Sequence, residues 1–244
     1  MVGELSQAVL KEQVGAFRAA AVAAGPDATV PTCPGWDVRK LLRHLARVYA
    51  MVQLGLETGP DDQRPRPPAA PDAFDAALTW FDERFAELTT ALSAPDPQRA
   101  VWAFFPGGTP ESWTRRMTHE TAIHRLDAVL AADGGSELIF DPELAADGID
   151  EMLTVIAPLG DWSQSAHQGR VLYHAADAGR TWLVRFLAGQ PPQIGAPADA
   201  ALGADEVDAT VAGTADAVYR RVWGRPSGAM ITGDAALGGL VAGR

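Results

Sequence analysis

The sequence predicts an α+β protein: an antiparallel four-helix bundle followed by a small domain that mixes strands and helices. Three observations carry this. Apolar residues recur at helical intervals through the first two thirds of the 244 residues. The helical segments are long and most of their joints short, as antiparallel neighbours in a bundle require. After about Trp162 the pattern changes to short runs rich in Val, Leu and aromatic residues, separated by turn residues. The expected boundary therefore separates a bundle at residues 1–162 from an α+β domain at residues 163–244.

The first helix is read from Leu5, Val9, Leu10, Val14 and Phe17, and it stops at Gly25-Pro26. Asp37 is the expected N-cap of the second. That helix carries Leu41, Leu45, Val48 and Val52 on one face and Arg39, Arg43 and Arg47 opposite. The segment "TGPDDQRPRPPAAP" is a Pro-rich connection with no core-forming pattern. Asp72 is expected to cap the third helix, which ends before Pro95. Thr109-Pro110 opens the fourth, which runs to about Ala132, and Asp141-Pro142 repeats that start signal for a fifth, since proline suits the first helical position. Beyond Trp162, "GRVLYHAAD" and "RTWLVRFLAG" read as a hairpin. Two strand-then-helix segments follow, with Thr214 and Asp234 as caps.

Composition narrows the function classes. Hydrophobic residues make up 47% and charged residues 21%, enough apolar content for a real core. The net charge is -11, and the arginines look scattered among more numerous carboxylates, so nucleic acid and acidic membrane surfaces are not expected partners. A single cysteine, Cys33, excludes an intramolecular disulfide and is read as a packing residue. No apolar run approaches the roughly 18 residues of a membrane span, and the first residues lack a secretory pattern. The expected location is cytoplasmic, and a symmetric homodimer is compatible with the acidic surface.

The informative stretch is "RMTHETAIHRLDAVL". At about 100° per residue, Trp113, Met117, Ile123, Ala128, Leu130 and Ala131 cluster on one side of the fourth helix. Glu120, His124 and Asp127 fall near the centre of that side, while Arg115, Thr118, Ala122 and Arg125 lie toward the back. Buried carboxylates are costly unless paired, hydrogen-bonded or bound to metal. One solution is a satisfied core network, with His124 bonded to Asp127 and Glu120 paired with an arginine. The other is a metal or catalytic site.

"HETAIH" is one residue longer than the HExxH zinc-protease motif, whose two histidines share a helix face. His119 and His124 are i, i+5, about 140° apart on a regular helix, and cannot chelate one ion. Glu120 and His124, at i, i+4, can. A zinc site usually takes three protein ligands, so a third must come from elsewhere. His44, His119, His167, His174 and the buried-looking carboxylates are the candidates.

Together, "TCPGWDVRKLLRHLARVY" and "RRMTHETAIHRLDAVLA" resemble the maleylpyruvate isomerase family of mycothiol-dependent enzymes, which belongs to the DinB-like helical bundles. The tail "DATVAGTADAVYRRVWGRPSGAMITGDAAL" is similar to the C-terminal α+β domain of that family. The resemblance implies a divalent ion, usually Zn²⁺, held by His44, Glu120 and His124, with Asp127 lining the site. It also implies that the turn "WGRPSG" supplies Arg225 as a catalytic, anion-binding residue, and that a low-molecular-weight thiol such as mycothiol is the cofactor. A metal favours thiolate over thiol. Thiolate addition to a conjugated double bond, rotation and elimination of the same thiolate would isomerise a small electrophile; displacement of a leaving group would transfer it. Two alternatives share the site: a metal-dependent hydrolase that activates water, and a non-catalytic, metal-stabilised protein that binds a small ligand.

Overall fold

The computed structural model describes residues 6–93, 95–133, 138–195 and 207–241. These divide into two compact units between Leu138 and Ile139.

The first unit holds α1 (Gln7–Ala24), α2 (Val38–Leu56), α3 (Phe74–Leu92) and α4 (Pro110–Asp133). It is the four-helix bundle expected. Asp37 caps α2 by accepting from the Lys40 amide at 2.8 Å. Thr109 and Ser112 cap the start of α4 reciprocally: Thr109 Oγ1 accepts from the Ser112 amide, and Ser112 Oγ accepts from the Thr109 amide. Asp72 does not cap α3; Ala73 stands at that position, and Asp72 instead pairs with Arg43 at 2.8 Å. The core between α1, α2 and α3 is aromatic, with Phe81 centred 5.5 Å from Phe17 and 5.4 Å from Tyr49.

Helix α4 departs from the wheel drawn on the sequence. It packs against α1 as well as α2 and α3, so its expected back is also interior. Thr118 and Ala122 are fully buried, as are His119 and Thr121. Threonine can be buried there because its hydroxyl bonds back along the helix: Thr114 to the Pro110 carbonyl, Thr118 to that of Thr114, Thr121 to that of Met117.

The second unit begins with α5 (Pro142–Glu151), continued by a π-helical turn at Met152–Ile156 and a 3₁₀ turn at Ala157–Leu159. A five-stranded sheet of order β3-β2-β1-β4-β5 follows: β1 (Gly169–Ala175), β2 (Arg180–Phe186), β3 (Gln193–Ile194), β4 (Ala209–Gly213) and β5 (Met230–Gly233). The β1–β2 hairpin is antiparallel, as expected, and β1–β4 is the parallel pair. Helices α6 (Ala215–Val222) and α7 (Ala235–Gly238) start at Thr214 and Asp234, both of which accept amide hydrogens as the sequence predicts. The division lies before α5, whereas the sequence boundary was drawn after it, at 162. The physical reason is local: α5 packs on α6, Trp182 Nε1 donates to Asp150 at 3.0 Å, and Arg180 pairs with Glu143 at 2.6 Å. No helix among the described residues is long and apolar enough to cross a membrane.

Candidate metal centre

Within the bundle, α2 and α4 bring His44, Glu120 and His124 together. His44 Nε2 lies 3.1 Å from Glu120 Oε1, and His124 Nε2 lies 3.4 Å from the same oxygen. The three donor atoms fall within 4.8 Å of one another. The i, i+4 spacing on α4 sets the Glu120–His124 pair. The two imidazoles meet edge to face, 5.1 Å apart, with the Nε2 atom of each near the same carboxylate oxygen.

The surrounding groups fix these three. Arg116, one turn before Glu120 and almost fully buried, binds Glu120 Oε2 and leaves Oε1 to the histidines. Asp127 is fully buried, and its Oδ2 lies 2.8 Å from His124 Nδ1. With a proton held on Nδ1 by Asp127, Nε2 is the atom left to face Glu120 and His44, donating to Glu120 when it carries a proton and offering its lone pair when it does not. Thr32 Oγ1 donates to Asp127 Oδ1, and Cys33 Sγ lies 3.6 Å from Oδ2.

Thr32, Cys33 and Trp36 reach the site through a tight loop before α2. Backbone bonds from Val30 to Trp36, from Cys33 to Val30 and from Trp36 to Cys33 close it. Gly35 takes the left-handed conformation (φ 78°) that the turn needs. The Trp36 ring then packs against His44, centroids 5.1 Å apart. In this way "PTCPGW" supports both histidines.

Burial opposes charge on Glu120, yet hydrogen bonds from His124 and His44 and the nearby Arg116 outweigh it, holding the carboxyl well below its ordinary pKa. Burial likewise works against a charged His124. Its bonds to Asp127 and Glu120 prevail and push it up to about 9. Two carboxylates thus bracket an imidazole that has to carry, or face, a positive charge. A proton can supply that charge, and so can a divalent ion. Two imidazole nitrogens and one carboxylate oxygen are a donor set that suits zinc and leave room for a further ligand. The residues present fit the metal.

The satisfied network that α4 allowed is present, with Arg116 and Asp127 meeting the buried charges, and three donor atoms still converge beside it. Among the described residues, a second convergent group is Cys33, His124 and Asp127, and neither group includes His119, His167 or His174. Sequence reasoning missed Thr32, Cys33 and Arg116. Arg116 carried a signal, its i, i+4 spacing to Glu120; for Thr32 and Cys33 only a folded loop could give one. Arg225, in the second unit, follows the left-handed Gly224 at the end of α6, and its guanidinium donates to the Trp223 carbonyl at 2.6 Å.

One reading of the charge pattern is corrected. The arginines of α2 are not simply scattered: Lys40, Arg43 and Arg47, with Arg64 and Arg66 from the Pro-rich connection, line a cavity of about 1010 Å³ that also contains His44. Helical spacing put Arg43 and Arg47 on one face of α2, with Arg39, which instead pairs with Asp27, but nothing in the connection's sequence showed that it folds back over that face.

A bundle presenting a His-Glu-His cluster from two helices, followed by a small mixed-sheet unit, defines the class of protein. Residues 8–129, half of the chain, match the family model described as the mycothiol maleylpyruvate isomerase N-terminal domain. The chain belongs to that family. It is also similar in fold to a crystal structure of the mycothiol-dependent maleylpyruvate isomerase, with a TM-score of 0.59 and 15% identity over 92% of this chain and 90% of that one. A histidine-to-alanine mutant of that isomerase matches with a TM-score of 0.56 and 14% identity over 91% of this chain and 92% of the other. No curated protein sequence matches.

Proposed function

We propose that this protein is a metal-dependent enzyme that uses a low-molecular-weight thiol, mycothiol or a similar one, to isomerise a small electrophilic substrate or to transfer the thiol to it. The observation that carries the reading is the convergence of His44 Nε2, Glu120 Oε1 and His124 Nε2 in a chain of the mycothiol maleylpyruvate isomerase family. Those three residues would hold the ion, which when bound supplies Lewis acidity that favours thiolate at neutral pH. Arg116 keeps Glu120 ionised and directs one of its oxygens away from the donor cluster. Asp127 holds the His124 proton on Nδ1 so that Nε2 stays a lone-pair donor. Trp36 limits the rotation of His44 by covering its ring. Arg225 is assigned the role of anion clamp for the substrate, as a planar, permanently charged donor.

The test pairs elemental analysis with a thiol-dependent assay. The purified protein is expected to carry about one zinc-class ion per chain, the stoichiometry of a three-ligand site, and to lose most of it in His124→Ala. An electrophile such as an activated conjugated acid should be consumed only when thiol is present. Full metal retention in His124→Ala refutes the metal site. Equal turnover without thiol refutes the thiol reading in favour of a hydrolase, and inactivity in both arms favours a ligand-binding protein.

A further inference from the structure

The cavity beside His44 has an unusual charge balance. Five cationic side chains line it, out of 20 lysines and arginines in a chain of net charge -11, and among the described residues no carboxylate does. Arg43 is neutralised by Asp72. Lys40 Nζ bonds the neutral Gly35 carbonyl at 2.7 Å, and an Arg64 nitrogen lies 3.5 Å from Met51 Sδ. Arg47 and Arg66 have no hydrogen-bond or ion-pair partner among the described residues. Four positive charges therefore face one concavity without a compensating anion. Like charges so gathered repel one another, and a bound anion removes that repulsion.

The construction also favours binding. Lys40, Arg43 and Arg47 stand on a rigid helix, and Pro65 and Pro67 flank Arg66 in the connection. Proline fixes the backbone on both sides of that arginine, so less freedom is lost when its guanidinium engages a ligand. Guanidinium groups bind phosphate and carboxylate oxygens in pairs. A single carboxylate could satisfy only one of them.

We propose that this cavity binds a small polyanion, a ligand bearing several negative charges on phosphate or carboxylate groups, with Arg47 and Arg66 as its principal contacts. The proposal rests on the preceding reading only in making His44 the link between this ligand and the His-Glu-His cluster; the charge argument stands without it.

The test is calorimetric titration of the full-length protein with inorganic pyrophosphate, propane-1,2,3-tricarboxylate and acetate at low ionic strength. At least one polyanion should bind, with acetate at least about tenfold weaker, and Arg47→Gln/Arg66→Gln should weaken the polyanion at least about tenfold, as loss of charge-assisted bonds does. Both arginines are exposed, so the double variant should keep its helical circular dichroism and its metal content. Arg18→Gln, which removes a distant surface pair with Asp82, should leave binding unchanged. Preference for pyrophosphate over the tricarboxylate marks the natural ligand as phosphate-bearing; the reverse marks it as a polycarboxylate. Equal affinity in wild type and double variant, acetate binding as well as the polyanions, or no binding at all overturns the proposal. A ligand held by the metal alone would give the first of these. No thiol enters the titration, so its failure leaves the thiol assay standing, and failure of that assay leaves this result standing.

Discussion

The two parts of α4 are equally buried and are held by opposite physics. At its start, Trp113 is fully buried in an aromatic cluster: Phe105 lies 5.0 Å away, Phe104 5.6 Å, and Trp102 stacks at 6.1 Å with planes 20° apart. The indole N–H is satisfied by the Trp102 carbonyl at 2.8 Å. In the middle, Asp127 is fully buried too, but its contacts are Thr32, Cys33 and His124. The aromatic end is stabilised by area removed from water and by dense contact. The charged middle gains little net stability, because desolvation offsets most of what pairing returns. What it gains is a set of fixed donor atoms. One helix therefore separates the work of holding the bundle together from the work of presenting a site.

That contrast can be broken at each end. Trp113→Ala should give the largest stability loss, about 3–5 kcal/mol, because it leaves a cavity that three other rings cannot fill and an unpaired Trp102 carbonyl. Chemical denaturation reads this directly. Metal content per folded molecule should stay near that of the wild type, since the proposed ligands on α4 lie about two turns or more along the helix. A loss below about 1 kcal/mol, the scale of a surface change, would mean that the aromatic end does not anchor α4.

Asp127→Asn comes next and reverses the pattern. The amide keeps the shape and can still accept from Thr32, so stability should fall by only about 1–3 kcal/mol, the cost of one impaired buried polar contact. The effect on the site is larger. An Asn amide donates to His124 Nδ1, which moves the imidazole proton to Nε2, the atom that faces Glu120. Metal affinity should fall about 10–100-fold, as for other groups that orient a ligand from behind. Competition with a chromophoric chelator measures it; affinity within twofold of wild type would show that Asp127 does not set the tautomer.

How much of this was legible in the sequence follows the same division. Periodicity gave the four helices, and the capping residues Asp37, Thr109, Asp141, Thr214 and Asp234 all accept backbone hydrogens as expected. These are local signals with local causes. The Glu120–His124 pair was legible for the same reason, since helix geometry alone excludes the His119–His124 pair and selects Glu120 as the partner of His124. His44 was one candidate among several until the resemblance of two distant segments singled it out. Its meeting with Glu120 depends on how α2 packs on α4, and no local pattern encodes that. The Pro-rich connection was the least legible. Its arginines acquire a partner surface only when the chain folds back on α2. The back of α4 is misread for a related reason: Thr118 and Ala122 are buried there while Arg115 and Arg125 stay half-exposed, and threonines that bond their own backbone disguise burial as polarity.

The smallest expected effect lies on the border between the two regions. Tyr49, fully buried on α2, reaches α4 through Thr121, its hydroxyl 2.7 Å from Thr121 Oγ1. Thr121 already donates to the Met117 carbonyl, so Tyr49 must be the donor. Burial, more than any neighbour, pushes the Tyr49 phenol upward and keeps it protonated. Tyr49→Phe removes that donor but leaves Thr121 with a partner, and the ring keeps its packing on Phe81 and Phe85. The cost should be about 0.5–1.5 kcal/mol, the net worth of one neutral hydrogen bond, with metal affinity unchanged within twofold. If metal affinity falls tenfold instead, the hydroxyl pair one residue after Glu120 belongs to the charged middle, and the border between the two parts of α4 moves toward its start.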